Sequence, residues 1–118
     1  MESIILTTTK DYVLVCKPAG FLSEKAENAP SCPDEIEKIL GKTPYVVHRL
    51  DRNTEGLMVY ALTKQAAAEF SRLIAEGKLK KCYRALVTPD GTLPEEGEMR
   101  DYLYFDRRRD KSFVVGGE

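Results

Sequence analysis

The chain has 118 residues, a length that suits one domain, and its formal net charge of -1 gives no overall attraction to nucleic acid or to an anionic membrane. It is 42% hydrophobic and 31% charged, no apolar run approaches the ~20 residues that span a bilayer, and no signal peptide pattern opens the chain, so we expect a cytoplasmic protein outside the membrane. Three cysteines without a C-x-x-C pair, together with one histidine, support neither a zinc site nor a disulfide framework.

The first third of the chain predicts two short strands followed by a helix. Strand-forming residues occupy 4–6 and 12–15, and the sequence Lys17-Pro18-Ala19-Gly20 ends the second run. A polar loop follows. Ser31 is a suitable N-cap for a helix that continues to about residue 40, where Gly41 ends it.

The rest of the chain alternates between strand and helix patterns. Residues 45–50 and 56–62 are typical of strands, and Thr63 is a suitable N-cap for a helix that ends at Gly77. The apolar residues of that helix recur at helical spacing, which predicts a face packed on the core: Ala66, Phe70, Leu73 and Ile74. The stretch "KKCYRALVT" alternates like a strand, and 98–105 and 112–115 are further candidates. We therefore predict a single α+β domain over residues 1–118, with a mixed, mostly antiparallel sheet and helices packed on it.

Between two of these strands lies the charged segment "HRLDRNTEG". A carboxylate held there, Asp51, could act as a nucleophile or an acid–base group, with a pKa adjusted by burial and by Arg49 or Arg52. The segment is equally rich in turn-forming residues, so Asp51 could instead be an ordinary turn residue. His48 could be a base or a hydrogen-bonded structural residue, and Arg49 could be a surface charge or a contact to nucleic acid.

Basic and aromatic residues elsewhere offer contacts of the kind that RNA needs. If "KKCYRALV" forms a strand, Lys81, Tyr83 and Ala85 share one face of it, where an amine could contact a phosphate and a phenol could stack on a base. The alternative is a half-buried strand aromatic. The bend at Lys17-Pro18-Ala19-Gly20 could approach a ligand or simply end a strand. Two local clusters could bind phosphates despite the neutral total: Lys78, Lys80, Lys81 and Arg84, and then Arg107, Arg108, Arg109 and Lys111.

Taken in order, these segments resemble the RluA family of pseudouridine synthases. The segments are "KDYVLVCKPAG", then "HRLDRNTEGLMVYALTKQAAAEFS", then "KKCYRALV". The sister RsuA family usually has glycine in place of His48, so the pattern favours the RluA branch. The resemblance covers nearly the whole chain and implies the pseudouridine synthase catalytic fold.

The resemblance implies an activity and roles for particular residues. Family members isomerise uridine in rRNA or tRNA to pseudouridine and need no cofactor or metal. Asp51 matches the catalytic aspartate, which either attacks the ribose or removes a ribose proton. Tyr83 matches the tyrosine that packs on the target base, and Arg49 matches the arginine associated with opening the RNA. His48, Arg52, Lys17 and Lys81 are expected to bind the RNA beside them.

The chain departs from the family pattern in two places. Glu55 stands where a small residue is usual. The family domain also continues to a motif like "GRTHQIRVHL", whose arginine pairs with the aspartate, and this chain has no counterpart. We therefore expect the N-terminal half of a catalytic domain, with an incomplete sheet that favours self-association. The alternatives are a non-catalytic RNA-binding module and a purely structural α+β domain.

Overall fold

A computed structural model of the protein describes residues 3–87, 91, 97–98, 102–106 and 111–115. The chain divides into two compact units, Met1–Cys82 and Tyr83–Glu118. The first unit holds β1 (Ile5–Thr8), β2 (Tyr12–Lys17), α1 (Cys32–Leu40), β3 (Tyr45–Val46), β4 (Gly56–Ala61) and α2 (Lys64–Ala75), and the second holds β5 (Tyr102–Asp106) and β6 (Lys111–Val115). The predicted α+β class is confirmed.

The first unit is built on a four-stranded sheet in the order β1-β2-β4-β3. Its ladders are antiparallel, and β2 and β4 form the centre with a register that runs from Tyr12 opposite Ala61 to Lys17 opposite Gly56. One isolated parallel bridge joins Leu22 to Ser31. The central pairing brings the end of β2 next to the start of β4, which is the end of the sheet where the charged segment lies.

The core lies between one face of this sheet and α1. Alternate residues of the two central strands point toward the helix, as the two-residue period of a strand requires. The buried members are Ile4, Val13, Val15, Cys32, Ile36, Met58 and Tyr60. Helix α1 begins at Ser31, whose hydroxyl accepts a hydrogen bond from the backbone N–H of Asp34, and ends at Gly41 with a φ of 67°. Both ends were predicted from the sequence and are confirmed.

Helix α2 covers part of the opposite face of the sheet. Thr63 caps it by accepting a hydrogen bond from the Ala66 N–H at 3.0 Å, as predicted. The ring of Phe70 meets the ring of Tyr12 edge-on, with centroids 6.1 Å apart. The apolar side chains of α2 are only half-buried, and Leu57 on the neighbouring strand is 63% exposed. This face is therefore less covered than the face under α1.

Two predicted strands differ from the structure. The predicted strand 45–50 is only two residues long, because the chain leaves the sheet after Val46. The predicted strand in "KKCYRALVT" is wrong over the described residues 81–87, which are irregular. A strand needs a hydrogen-bonded neighbour, and the described strands pair only among themselves.

The second unit contains a two-stranded antiparallel sheet. In it, β5 pairs with β6 from Tyr102 opposite Val115 to Asp106 opposite Lys111. The strands predicted at 98–105 and 112–115 are thereby confirmed, with shifted ends. Among the residues described in both units, no helix is long and apolar enough to cross a membrane.

Candidate functional site

Asp51 opens a tight turn at the end of the central strands. The backbone N–H of Thr54 donates to the carbonyl oxygen of Asp51 at 3.0 Å, which closes a four-residue turn through Arg52 and Asn53. The side chain of Asp51 is exposed. Within the described ranges no group donates a hydrogen bond to its carboxylate. The turn predicted from "DRNT" is therefore present, and it presents a free carboxylate to solvent.

The residue before Asp51 is held by a single hydroxyl. The Oγ–H of Ser23 donates to the Leu50 carbonyl at 2.6 Å, and the same oxygen accepts from the Leu50 N–H at 2.9 Å. Ser23 is only 4% exposed, and its own carbonyl accepts a hydrogen bond from the Tyr60 hydroxyl at 2.7 Å. Ser23 could not be singled out by sequence reasoning, because its partner is 27 residues away.

The residue after Asp51 is held by the end of β2. The carbonyl of Arg52 accepts from the Lys17 Nζ at 2.9 Å and from the Gly20 N–H at 2.7 Å. In return, the Nε of Arg52 donates to the Gly20 carbonyl at 3.1 Å. The backbone is therefore fixed on both sides of Asp51.

Lys17 lies inside the protein. Its side chain is fully buried, and its ammonium donates to the carbonyls of Pro18 at 3.1 Å, Phe21 at 2.8 Å and Arg52 at 2.9 Å. Burial lowers the pKa of Lys17, and electrostatic interactions with Cys32 and Asp51 oppose that effect. We predicted that Lys17 contacts RNA, but all three of its donors are used within the protein. Its contacts favour a structural role, in which Lys17 holds the bend at 18–21 against the Asp51 turn.

The His48 side chain takes the place of a backbone carbonyl as the hydrogen-bond acceptor for Val59 in β4. Its Nε2 accepts a hydrogen bond from the backbone N–H of Val59 in β4 at 3.1 Å. The imidazole must be neutral to accept this bond, with its proton on Nδ1. Burial lowers the pKa of His48, and the positive charge of Lys81 lowers it further. Of the two possibilities raised by the sequence, the structure favours a hydrogen-bonded structural histidine.

The remaining predicted residues lie on the surface. The Arg49 Nε lies 3.2 Å from Oε1 of Glu24, with side chains 72% and 54% exposed. Lys81 is exposed, and Tyr83, which belongs to the second unit, is 60% exposed. The predicted pairing of Tyr83 with Asp51 remains a prediction.

The reactive group that this geometry offers is a single carboxylate, that of Asp51. In the described residues no group of three or more metal-ligating side chains lies close enough to hold an ion. What the first unit offers is Asp51 on a turn whose neighbours are fixed, with Arg49 and Arg52 beside it. Such a carboxylate can attack a carbon or accept a proton, and the arginines can bind phosphates.

The chain matches the sequence profile of the family described as RNA pseudouridylate synthase over residues 11–117. It is 36% identical over 87 residues to an uncharacterized RNA pseudouridine synthase of Haemophilus influenzae, covering 73% of this chain and 39% of that protein. It is 34% identical over 106 residues to tRNA pseudouridine synthase C of Vibrio parahaemolyticus, covering 86% of this chain and 42% of that protein.

Two further similarities point the same way. The chain is 39% identical over 87 residues to the dual-specificity RNA pseudouridine synthase RluA of Yersinia pestis, covering 71% of this chain and 42% of that protein. Its structure is similar to human RNA pseudouridylate synthase domain containing 4, with a TM-score of 0.50 and 27% identity over 61% of this chain and 29% of that chain. The chain thus spans less than half the length of these relatives.

Proposed function

The chain belongs to the RNA pseudouridylate synthase family, and we propose that it isomerises uridine to pseudouridine in structured RNA, either tRNA or rRNA, with Asp51 as the catalytic carboxylate. A relative named tRNA pseudouridine synthase C supports tRNA as a substrate, and a relative named dual-specificity RNA pseudouridine synthase supports more than one kind of RNA substrate. The reaction takes place in the cytoplasm and uses no cofactor.

The observation that carries this proposal is the exposed carboxylate of Asp51 on a fixed turn. Thr54 closes the turn, and hydrogen bonds to Leu50 and Arg52 hold the backbone on either side. A reacting group that is held in place before the substrate binds avoids the entropic cost of being oriented during the reaction. An ordinary solvent-facing turn does not need anchors from a buried serine and a buried lysine.

The chemistry needs one carboxylate and no co-reactant. The bond from the ribose C1′ to the uracil N1 breaks, and a bond from C1′ to C5 forms. The C5 proton leaves to solvent and N1 takes up a proton, so the product has the composition of the substrate. Asp51 either attacks the ribose or removes a ribose proton, and both routes require the nucleotide to leave the base stack.

The basic residues of the site serve the RNA. Among the described residues, Arg49 contacts only Glu24, through an exposed ion pair. Such a pair contributes little to stability, so Arg49 can exchange Glu24 for a phosphate. In the described part of the chain, Arg52 donates through its Nε to the Gly20 carbonyl, and its other N–H groups are proposed to bind the RNA. We assign Arg49 to opening the RNA, and Arg52 and Lys81 to phosphate contacts.

The remaining predicted residues divide between the base and the protein. Tyr83 is proposed to pack on the target uracil, as the family resemblance implies. His48 and Lys17 are proposed to act through the backbone that they hold, since Val59 and Arg52 respectively occupy their hydrogen-bonding atoms.

Tritium release from RNA labelled at uridine C5 tests this function. The complete gene product that includes this chain is incubated with tRNA and rRNA transcripts, in the wild type, in Asp51→Asn and in Asp11→Asn. Asp11 is an exposed aspartate in the β1–β2 turn and serves as the matched control. We expect release by the wild type and by Asp11→Asn, and none by Asp51→Asn. Normal release by Asp51→Asn would refute the role of Asp51.

A second candidate function is RNA binding without catalysis. It is favoured by the observation that no arginine among the described residues pairs with the Asp51 carboxylate. A filter-binding measurement on the same samples separates the two functions. Retention of RNA by wild type and Asp51→Asn alike, with no tritium released by either, would establish the binding module.

A further inference from the structure

The hydroxyl of Ser23 makes two hydrogen bonds to the backbone of one residue, Leu50. It both donates to the Leu50 carbonyl, at 2.6 Å, and accepts from the Leu50 N–H, at 2.9 Å. Two residues that exchange both backbone hydrogen bonds in this way form the closely bonded pair of an antiparallel ladder. Here the Ser23 side chain supplies both hydrogen bonds, so it takes the place that a residue of a neighbouring strand would have opposite Leu50.

This contact lies where the chain leaves the sheet. Strand β3 pairs with β4 only through Tyr45 and Val46. At the next step, the N–H of Val59 is taken by the His48 side chain instead of by a backbone carbonyl. Leu50 is thereby released from β4, and Ser23 satisfies both of its backbone groups. The change of partner lets the chain turn outward at Asp51.

Ser23 is itself firmly held. It is 4% exposed, its carbonyl accepts from the Tyr60 hydroxyl at 2.7 Å, and its Oγ lies 3.6 Å from the sulfur of Met58. Tyr60 and Met58 belong to the buried core. Ser23 therefore connects the backbone of Leu50 to the buried core.

We propose that Ser23 is a positioning residue that sets the orientation of Asp51 through the backbone of Leu50. The proposal rests on the proposed function for its catalytic consequence, but its structural part does not. Leu50 is bonded directly to Asp51, and the Asp51 carbonyl closes the turn by accepting from Thr54. If Leu50 loses Ser23, the turn loses its anchor on the N-terminal side and keeps only the anchors on Arg52.

Amide hydrogen exchange tests the structural part on the 118-residue chain. The variants are Ser23→Ala and, as a matched control, Thr63→Ala, which removes a hydroxyl that caps α2. Ser23→Ala should speed exchange of the Leu50 and Thr54 amides by about tenfold or more, since both depend on the anchored turn. Thr63→Ala should speed exchange at Ala66 and leave those two amides unchanged.

The Thr54 amide is the deciding probe. The Leu50 amide bonds to Ser23 directly, so its exchange reports only the lost bond, whereas the Thr54 amide bonds to Asp51 and reports the turn. Unchanged protection at Thr54 in Ser23→Ala would overturn the proposal. Should the alanine variant not fold, Ser23→Cys replaces the hydroxyl by a weak donor and acceptor, and the same comparison at Thr54 decides.

Kinetics of tritium release test the catalytic part in the complete gene product. Ser23→Ala should lower kcat by roughly tenfold or more while KM stays within about threefold, because a misplaced reacting group slows the reaction without weakening RNA binding. Thr63→Ala should match the wild type. An active wild type with an equally active Ser23→Ala would refute this inference alone, whereas an inactive wild type would count against the proposed function and leave the exchange result standing.

Discussion

Replacement of Lys17 by methionine is expected to destabilise the first unit, although it removes a buried charge. Methionine fills a similar volume but donates no hydrogen bond. The lysine ammonium donates to three carbonyls, those of Pro18, Phe21 and Arg52. The effect on the free energy of unfolding depends on which of these carbonyls keeps another donor.

Two of the three carbonyls that accept from Lys17 keep another hydrogen-bond donor when the lysine is replaced. The Pro18 carbonyl also accepts from the Phe21 N–H at 3.2 Å, and the Arg52 carbonyl also accepts from the Gly20 N–H at 2.7 Å. In the described part of the chain, the Phe21 carbonyl has the Lys17 ammonium alone. An unsatisfied buried carbonyl costs about 1–3 kcal/mol. Because burial lowers the pKa of Lys17, removing the cation also recovers part of its desolvation cost, so we expect a net loss of about 2 kcal/mol.

Urea unfolding followed by tyrosine fluorescence measures this loss, since the chain has no tryptophan. Lys10→Met is the matched control, because Lys10 is an exposed lysine in the turn before β2, and it should change stability by no more than about 0.5 kcal/mol. A Lys17→Met variant as stable as the wild type would contradict this reasoning. It would mean that the recovered desolvation energy equals the whole value of the three hydrogen bonds.

The remaining predictions concern a histidine, a glycine and the sheet edge. Because burial lowers the pKa of His48, the folded state binds a proton at this imidazole less readily than the unfolded state does. The free energy of unfolding should therefore fall as the pH drops below 6.5. His48→Gln should remove that pH dependence when unfolding by urea is measured at several pH values. Gly41→Ala should cost about 1 kcal/mol in the same assay because Gly41 has a φ of 67°; an unchanged midpoint would contradict this. The 118-residue chain should self-associate through the exposed edge at Tyr45 and Val46, which a monomeric mass in light scattering would disprove.

Local chemistry made parts of this fold predictable. Ser31 and Thr63 satisfy the free N–H groups of the helices that follow them, and Gly41 adopts the left-handed conformation that ends α1. These signals act within a few residues, so they can be read directly along the sequence. The turn at Asp51 was predictable for the same reason.

Contacts between distant residues were not predictable. The strand expected over 45–50 ends at Val46 because two side chains, His48 and Ser23, take up backbone groups that a longer strand would have paired. Lys17 was expected to contact RNA because the family resemblance implied it, and lysine side chains are usually exposed. Nothing in its neighbourhood reveals that a carbonyl 35 residues away accepts from it.

The long sequence separation of the anchors around Asp51 has a consequence for folding kinetics. Ser23 reaches Leu50 across 27 residues, Lys17 reaches Arg52 across 35, and Tyr60 reaches Ser23 across 37. Contacts of this kind close long loops, so they form after the local helices and turns. Substitutions at these anchors are therefore expected to speed unfolding more than they slow folding. The Asp51 turn should be among the last parts of the first unit to form and among the first to open.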